Sequence, residues 1–190
     1  MSYRYKPTIP PIDLKDNGYP TLFCPSDAVD FENIKWARFG SGGDAQARHC
    51  FVDDWRLEHL WRRQGQGLAK AILNGVMTAP DFTIEKGFPL PFAKYQVWRS
   101  GLLAKYWQDN GVHVVPVLQW GDESQYMLCS KIIARGSVVA VRGPQKGTEK
   151  AWIRAAEKIQ NLLKPEMVLH FGRKVDVWDN PVFLKLNTKK

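Results

Sequence analysis

Asp81 ends the apolar segment Thr78-Ala79-Pro80-Asp81-Phe82-Thr83. A carboxylate at the exit of a buried strand can act as a general acid or base, or orient a polar ligand. It can equally cap the turn that follows. Three later apolar segments end on other ligand-binding groups. Gln119 and Trp120 follow one of them, with Asp122 close behind, Arg142 closes the next, and His170 lies near the end of the last. A carboxylate, an amide, an indole, a guanidinium and an imidazole on one edge would suit a polar ligand.

Arg142-Gly143-Pro144-Gln145-Lys146-Gly147-Thr148 adds a second chemistry. It carries two cations and two glycines between an apolar segment and a helical one. Thr148 is placed to cap that helix, whose free N–H groups and positive dipole end favour an anion. The spacing matches neither the Walker pattern nor the dinucleotide fingerprint, so a phosphate site competes with an ordinary basic turn. Other constellations carry less. His49-Cys50 with Cys24 and Asp53 or Asp54 lacks paired metal-ligand spacing and reads as a buried thiol beside a satisfied histidine. No Gly-x-Ser-x-Gly elbow occurs, and Cys129 sits in apolar sequence. Pairing Asp81 with Glu85-Lys86 as a metal-dependent nuclease fails because that chemistry wants the second acid and the lysine on a separate strand. No metal site is expected, and no cofactor is indicated.

The elements that must position these residues follow from hydrophobic periodicity. Val76 to Phe82, Val112 to Leu118, Ser137 to Val141 and Met167 to Phe171 read as short strands buried on both faces. Helical spacing runs from Asp53 to about Asn74, broken at Gly65-Gln66-Gly67, and again from Gln96 to Asp109. A shorter helical stretch spans Tyr126 to Ile132. Glu149 to Leu163 is the clearest amphipathic helix, with Pro165 behind it as a stop. Strands alternating with helices predict an α/β fold, a mainly parallel sheet of at least four strands with flanking helices. An open sheet is favoured over a partial barrel, because eight βα units need about 250 residues and the chain has 190. Residues 1–47 hold Pro7, Pro10, Pro11, Pro20 and the loop Gly40-Ser41-Gly42-Gly43, and predict an extended arm packed on an α/β domain of residues 48–190.

Composition narrows the partners. The formal charge is +8 and the pI about 9.4, which favours an anionic partner such as nucleic acid, nucleotide or phosphate. Eight tryptophans exceed what a core of this size requires, so some are expected to line a pocket or stack on bases. Three cysteines at wide spacing give no disulfide framework, as in a reducing compartment. No apolar run approaches the roughly 20 residues of a membrane span, and no secretory leader opens the chain. A cytoplasmic protein without a membrane partner is expected.

Arg48-His49-Cys50-Phe51-Val52-Asp53-Asp54-Trp55-Arg56-Leu57, the Thr78–Thr83 segment, and Val97-Trp98-Arg99 leading to Tyr106-Trp107-Gln108 carry a family likeness. It continues through Val114 to Trp120, Gly136 to Val141 and His170-Phe171-Gly172. Over about residues 48–172 the chain resembles a phage and bacterial family, domain of unknown function 4417. The resemblance implies carriage on phages or other mobile elements and brings no activity with it. The net charge, the tryptophan count and the clustered strand exits set the expected function: a nucleic-acid- or nucleotide-binding protein of a phage or other mobile element that processes a nucleotide or base at the strand ends. In that reading Asp81 is the acid, base or orienting group. Arg99, Arg142 and Lys146 hold phosphate, Trp98 or Trp120 stacks on a base, and Gln119, Thr148 and His170 complete the pocket. The alternative is a non-catalytic phage protein that docks on a host protein through its tryptophans and basic surface.

Overall fold

The computed structural model describes residues 9–186; the first eight residues of the expected arm lie outside them. Seven strands alternate with four α-helices among the described residues. In chain order these are β1 (Trp36–Arg38), β2 (Ala47–His49), α1 (Asp54–Arg62), α2 (Gln64–Asn74), β3 (Val76–Thr78), α3 (Leu90–Asp109), β4 (His113–Val115), β5 (Val139–Arg142), α4 (Glu149–Leu163), β6 (Val168–Phe171) and β7 (Pro181–Leu184). A 3₁₀ segment, Glu123–Lys131, takes the helical place between β4 and β5.

Every ladder is parallel. One sheet runs β1-β2-β3-β4 and a second runs β5-β6-β7. A parallel bridge between Val117 and Ala140 links them, with Leu118 N donating to Ala140 O at 2.8 Å and Ala140 N to Pro116 O at 2.8 Å. The strands thus follow chain order across the molecule. The sheet is open, since among the described residues no ladder joins β1 to β7. It nonetheless curls: the Phe171 ring of β6 lies 5.4 Å from that of Trp36 on β1, 5.1 Å from His49 on β2 and 5.1 Å from Phe51. Each helical element touches the next, α1 on α2, α2 on α3, α3 on the 3₁₀ segment and that segment on α4. They form one continuous layer.

Local sequence accounts for most of these elements. α4 buries Ala155, Ala156, Ile159 and Leu163 along one stripe, the pattern of a helix packed on a sheet. Three differences from the sequence expectation have simple causes. α3 starts at Leu90, six residues before the expected Gln96, because Pro89 and Pro91 sit at its first turn, where no N–H is needed. The break in the first helical stretch falls at Arg63, not at the glycines, and Gly67 is held inside α2 against Leu60. Strands β1 and β2 read Trp-Ala-Arg and Ala-Arg-His, with no apolar run for a sequence pattern to register, and β7 is a four-residue edge strand made evident by its pairing with β6. β1 and the start of β2 lie within residues 1–47, so the sheet takes in part of the expected arm. Leu22 also reaches the core, as its N–H donates to Ile132 O at 2.7 Å. None of the helices described is long and apolar enough to cross a membrane.

Candidate functional site at the strand exits

Because β3, β4 and β5 run side by side in the same direction, the loops that follow them open onto one edge. A cleft of about 820 Å³ lies there. Asp81 enters it from the β3 exit, Gln119 and Trp120 from β4, and Arg142 from β5, while Thr148 and Trp152 line it from the start of α4. The edge predicted from the sequence is present, and these exits converge on it.

Asp81 is held by one amide. Gln119 is buried and donates from Nε2 to Asp81 Oδ1 at 3.1 Å and to Phe82 O at 3.0 Å. Its Oε1 has no hydrogen-bond partner among the described residues. Burial pushes the Asp81 carboxyl up to about 6; the Gln119 hydrogen bond and the Arg142 charge oppose this, and the Asp54 charge adds to it. A carboxyl poised near neutrality can give or take a proton at physiological pH. Hydrogen bonds tie the walls together. Gly121 N donates to Gln125 Oε1 at 3.0 Å, and Gln125 Nε2 reaches Phe88 O. A Cβ on Gly121 would stand 2.4 Å from Glu85 O, so only glycine lets these two loops meet.

Charge in the cleft is balanced: Asp81, Glu85 and Asp122 face Lys86, Arg142 and Arg154. Aromatic surface supplies the rest, with the Trp120 and Trp152 rings 5.2 Å apart. Thr148 is the first residue of the α4 turn, yet its hydroxyl donates to Gln145 O at 2.9 Å instead of accepting from the helix. Glu149 accepts from Gly147 N at 2.8 Å, in the loop before the helix, and from Arg173 Nη1 at 3.0 Å.

Four sequence candidates lie away from the cleft. Arg99 is buried against Phe82, its guanidinium 3.6 Å from the ring centre, with Nη1 donating to Glu58 Oε1 at 2.6 Å. Trp98 donates to Gly18 O at 3.0 Å and packs on Trp61 and Tyr95. Lys146 is exposed and does not line the cavity. His170 is fully buried behind the wall. Trp178 Nε1 donates to its Nδ1 at 3.2 Å, and its Nε2 donates to Arg173 O at 2.7 Å, which fixes a neutral tautomer. Burial lowers its pKa accordingly, against the Arg173 hydrogen bond. Sequence reasoning missed Trp152, whose place one turn after Thr148 was the available signal. It weighed Glu85-Lys86 only as part of a nuclease pair, and it missed Arg154 on α4.

The cysteines take no part. Cys24, Cys50 and Cys129 are free and buried, and burial pushes each thiol up to about 12. His49 differs from expectation, because neither ring nitrogen has a partner among the described residues. Burial first, then the Arg38 and Arg142 charges, pulls it down to about 4. No group of three or more His, Cys, Asp and Glu side chains that could hold a metal ion occurs among the described residues.

An open parallel sheet with a cleft at its strand exits defines an α/β protein. The profile of the family described as Domain of unknown function (DUF4417) matches residues 9–187, and the chain belongs to that family. It is similar to the Gene 1 protein of Mycobacterium phage D29, 28% identical over 162 residues, which is 81% of this chain and 58% of that protein. It is also similar to the Gene 1 protein of Mycobacterium phage L5, 26% identical over 158 residues, 81% of this chain and 69% of that one. The protein is therefore phage-associated, and it spans little more than half of the first of these relatives. No solved structure matches it.

Proposed function

We propose that the strand-exit cleft binds a nucleotide, free or within a single strand, and that Asp81 acts on it as acid, base or orienting group. The observation that carries this reading is the meeting of Asp81, Gln119, Trp120 and Arg142 around one cavity. Trp120 and Trp152 offer flat surface for a base, and base–aromatic stacking contributes about 1–3 kcal/mol per base. Arg142 and Lys86 supply cations for a phosphate. Gln119 Oε1 and the Asp81 carboxyl supply acceptors for an exocyclic amine. Three acids among the lining residues disfavour a long polyanion and suit a ligand with one anionic end and one polar ring.

Tryptophan-fluorescence titrations with mononucleotides, and anisotropy titrations with labelled single-stranded DNA and RNA at low and moderate salt, test the reading. Binding that weakens with salt and drops about tenfold or more in Trp152→Ala supports it. Absence of binding to every probe overturns it.

A second reading, docking on a host protein, draws on one observation. Leu90, Phe92 and Tyr95 on α3 are exposed, and the Phe88, Phe92 and Tyr95 rings lie next to one another. Substituting Phe92→Ser would disturb that surface and spare the cleft. The two readings separate by which change abolishes the phage phenotype, Asp81→Asn or Phe92→Ser.

A further inference from the structure

A second cavity, of about 570 Å³, shares no lining residue with the strand-exit cleft. It is bounded by the Gly40-Ser41-Gly42 loop after β1, by Arg48 on β2, and by Trp55, Arg56, His59 and Lys70 on α1 and α2. Its charge is not balanced as that of the first is. Among the described residues every ionisable group in the lining is basic, three of them Arg or Lys, and no carboxylate is present. Part of the net charge of +8 is therefore concentrated here.

Arg48 makes this a built site and not merely a basic surface. Its side chain is buried, with the residue only 8% exposed. Nη2 donates to Gly43 O at 3.1 Å, while Nη1 is buried with no hydrogen-bond partner. A guanidinium has no way to shed its charge, and a buried donor left unpaired is costly. The neighbouring cations are weakly compensated as well. Arg56 stands over the Trp55 ring at 4.3 Å, and its ion pair with Asp53 is long, 4.0 Å. Lys70 Nζ lies 3.1 Å from His59 Nε2, a ring nitrogen and not an anion. An anion with several oxygens would give Arg48 Nη1 the acceptor it lacks while bridging Arg56 and Lys70.

We propose that this cavity is a phosphate site, separate from the cleft, with Arg48 as the buried anchor and Arg56 and Lys70 as the outer contacts. Its ligand is a phosphate group, carried either by a small molecule or by a polynucleotide backbone. Trp55 is 67% exposed at the rim, where its indole reports occupancy.

The test follows the indole N–H resonances of the full-length, ¹⁵N-labelled protein, with that of Trp55 assigned by Trp55→Phe. Inorganic phosphate and a short single-stranded oligonucleotide are titrated in turn. The expected result is a saturable shift of the Trp55 resonance that weakens about tenfold in the double variant Arg56→Met, Lys70→Met. Both residues sit toward the surface, so the result does not depend on whether Arg48→Met folds. Arg142→Ala leaves this titration unchanged, and a response of Trp120 alone would report the other cleft. A response to phosphate identifies a small phosphorylated ligand, and one to the oligonucleotide only identifies a backbone phosphate; both support the site. A Trp55 resonance that neither probe moves, or a double variant that titrates like the wild type, overturns it.

Discussion

Two acid–arginine groups flank the Asp81–Thr83 segment and differ in how far they are enclosed. Around Arg99, Glu58 accepts at 2.6 Å, Asp54 Oδ2 lies at 4.0 Å, and the guanidinium covers Phe82. Asp54 is itself occupied, accepting from Thr83 N at 2.9 Å and from Thr83 Oγ1 at 2.7 Å. Around Asp81 the polar contacts are fewer. One amide donates to it, that amide's own oxygen is unpartnered, and the nearby Arg142 is exposed. The same residue types thus build a brace in one place and an open cleft in the other. Arg99, although its buried Nε has no partner among the described residues, is enclosed between Glu58 and Phe82 and braces the fold, whereas Asp81 and Arg142 line a cavity and are open to a ligand.

The largest effect expected from this contrast is at Arg99. Arg99→Leu takes from Glu58 its short partner and leaves it the long 3.9 Å pair with Arg62, and should destabilise the protein by about 2–4 kcal/mol, less than for a fully buried pair. Arg142→Leu should change stability by no more than about 0.5 kcal/mol. Urea unfolding of the two variants compares them directly, and equal losses would erase the distinction. Gly143→Ala comes next. Its Cβ would lie 2.2 Å from Arg173 O and 2.7 Å from His170 Nε2, so the loop behind the cleft must move, at a cost of roughly 1–3 kcal/mol. Thermal unfolding measures that loss, and a Tm equal to wild type would show that the wall is soft.

Asp81 sharpens the comparison through pH. Its folded value, about 6, is above the ordinary 3.8. The folded state therefore holds its proton more tightly, and the contribution to stability present below about pH 4 is lost as pH rises through 6. Asp81→Asn removes the buried charge but keeps an acceptor for Gln119. It should stabilise the protein by about 1–3 kcal/mol at pH 8 and by nothing measurable at pH 4. Unfolding curves across that range check the sign; a variant less stable at pH 8 would mean that the ionised carboxylate is well solvated. The smallest effect belongs to Lys146→Ala, within about 0.5 kcal/mol of wild type and with unchanged nucleotide affinity, because Lys146 is exposed outside the cleft.

Hydrophobic runs and helix punctuation were enough to determine that β3 to β6 are buried parallel strands and that their exits carry Asp81, Gln119, Trp120 and Arg142. These follow from local period and from the chain length between strands, both readable along the sequence. Three features were decided only by tertiary packing: the capture of Arg99 by Glu58, the burial of His170 behind Trp152, and the assembly of Arg48 with Arg56 and Lys70. Each depends on which distant segment a side chain meets once the sheet curls and the helices close over it. A side chain's identity sets which bonds it can make, but its neighbours in space set which of those bonds are already taken.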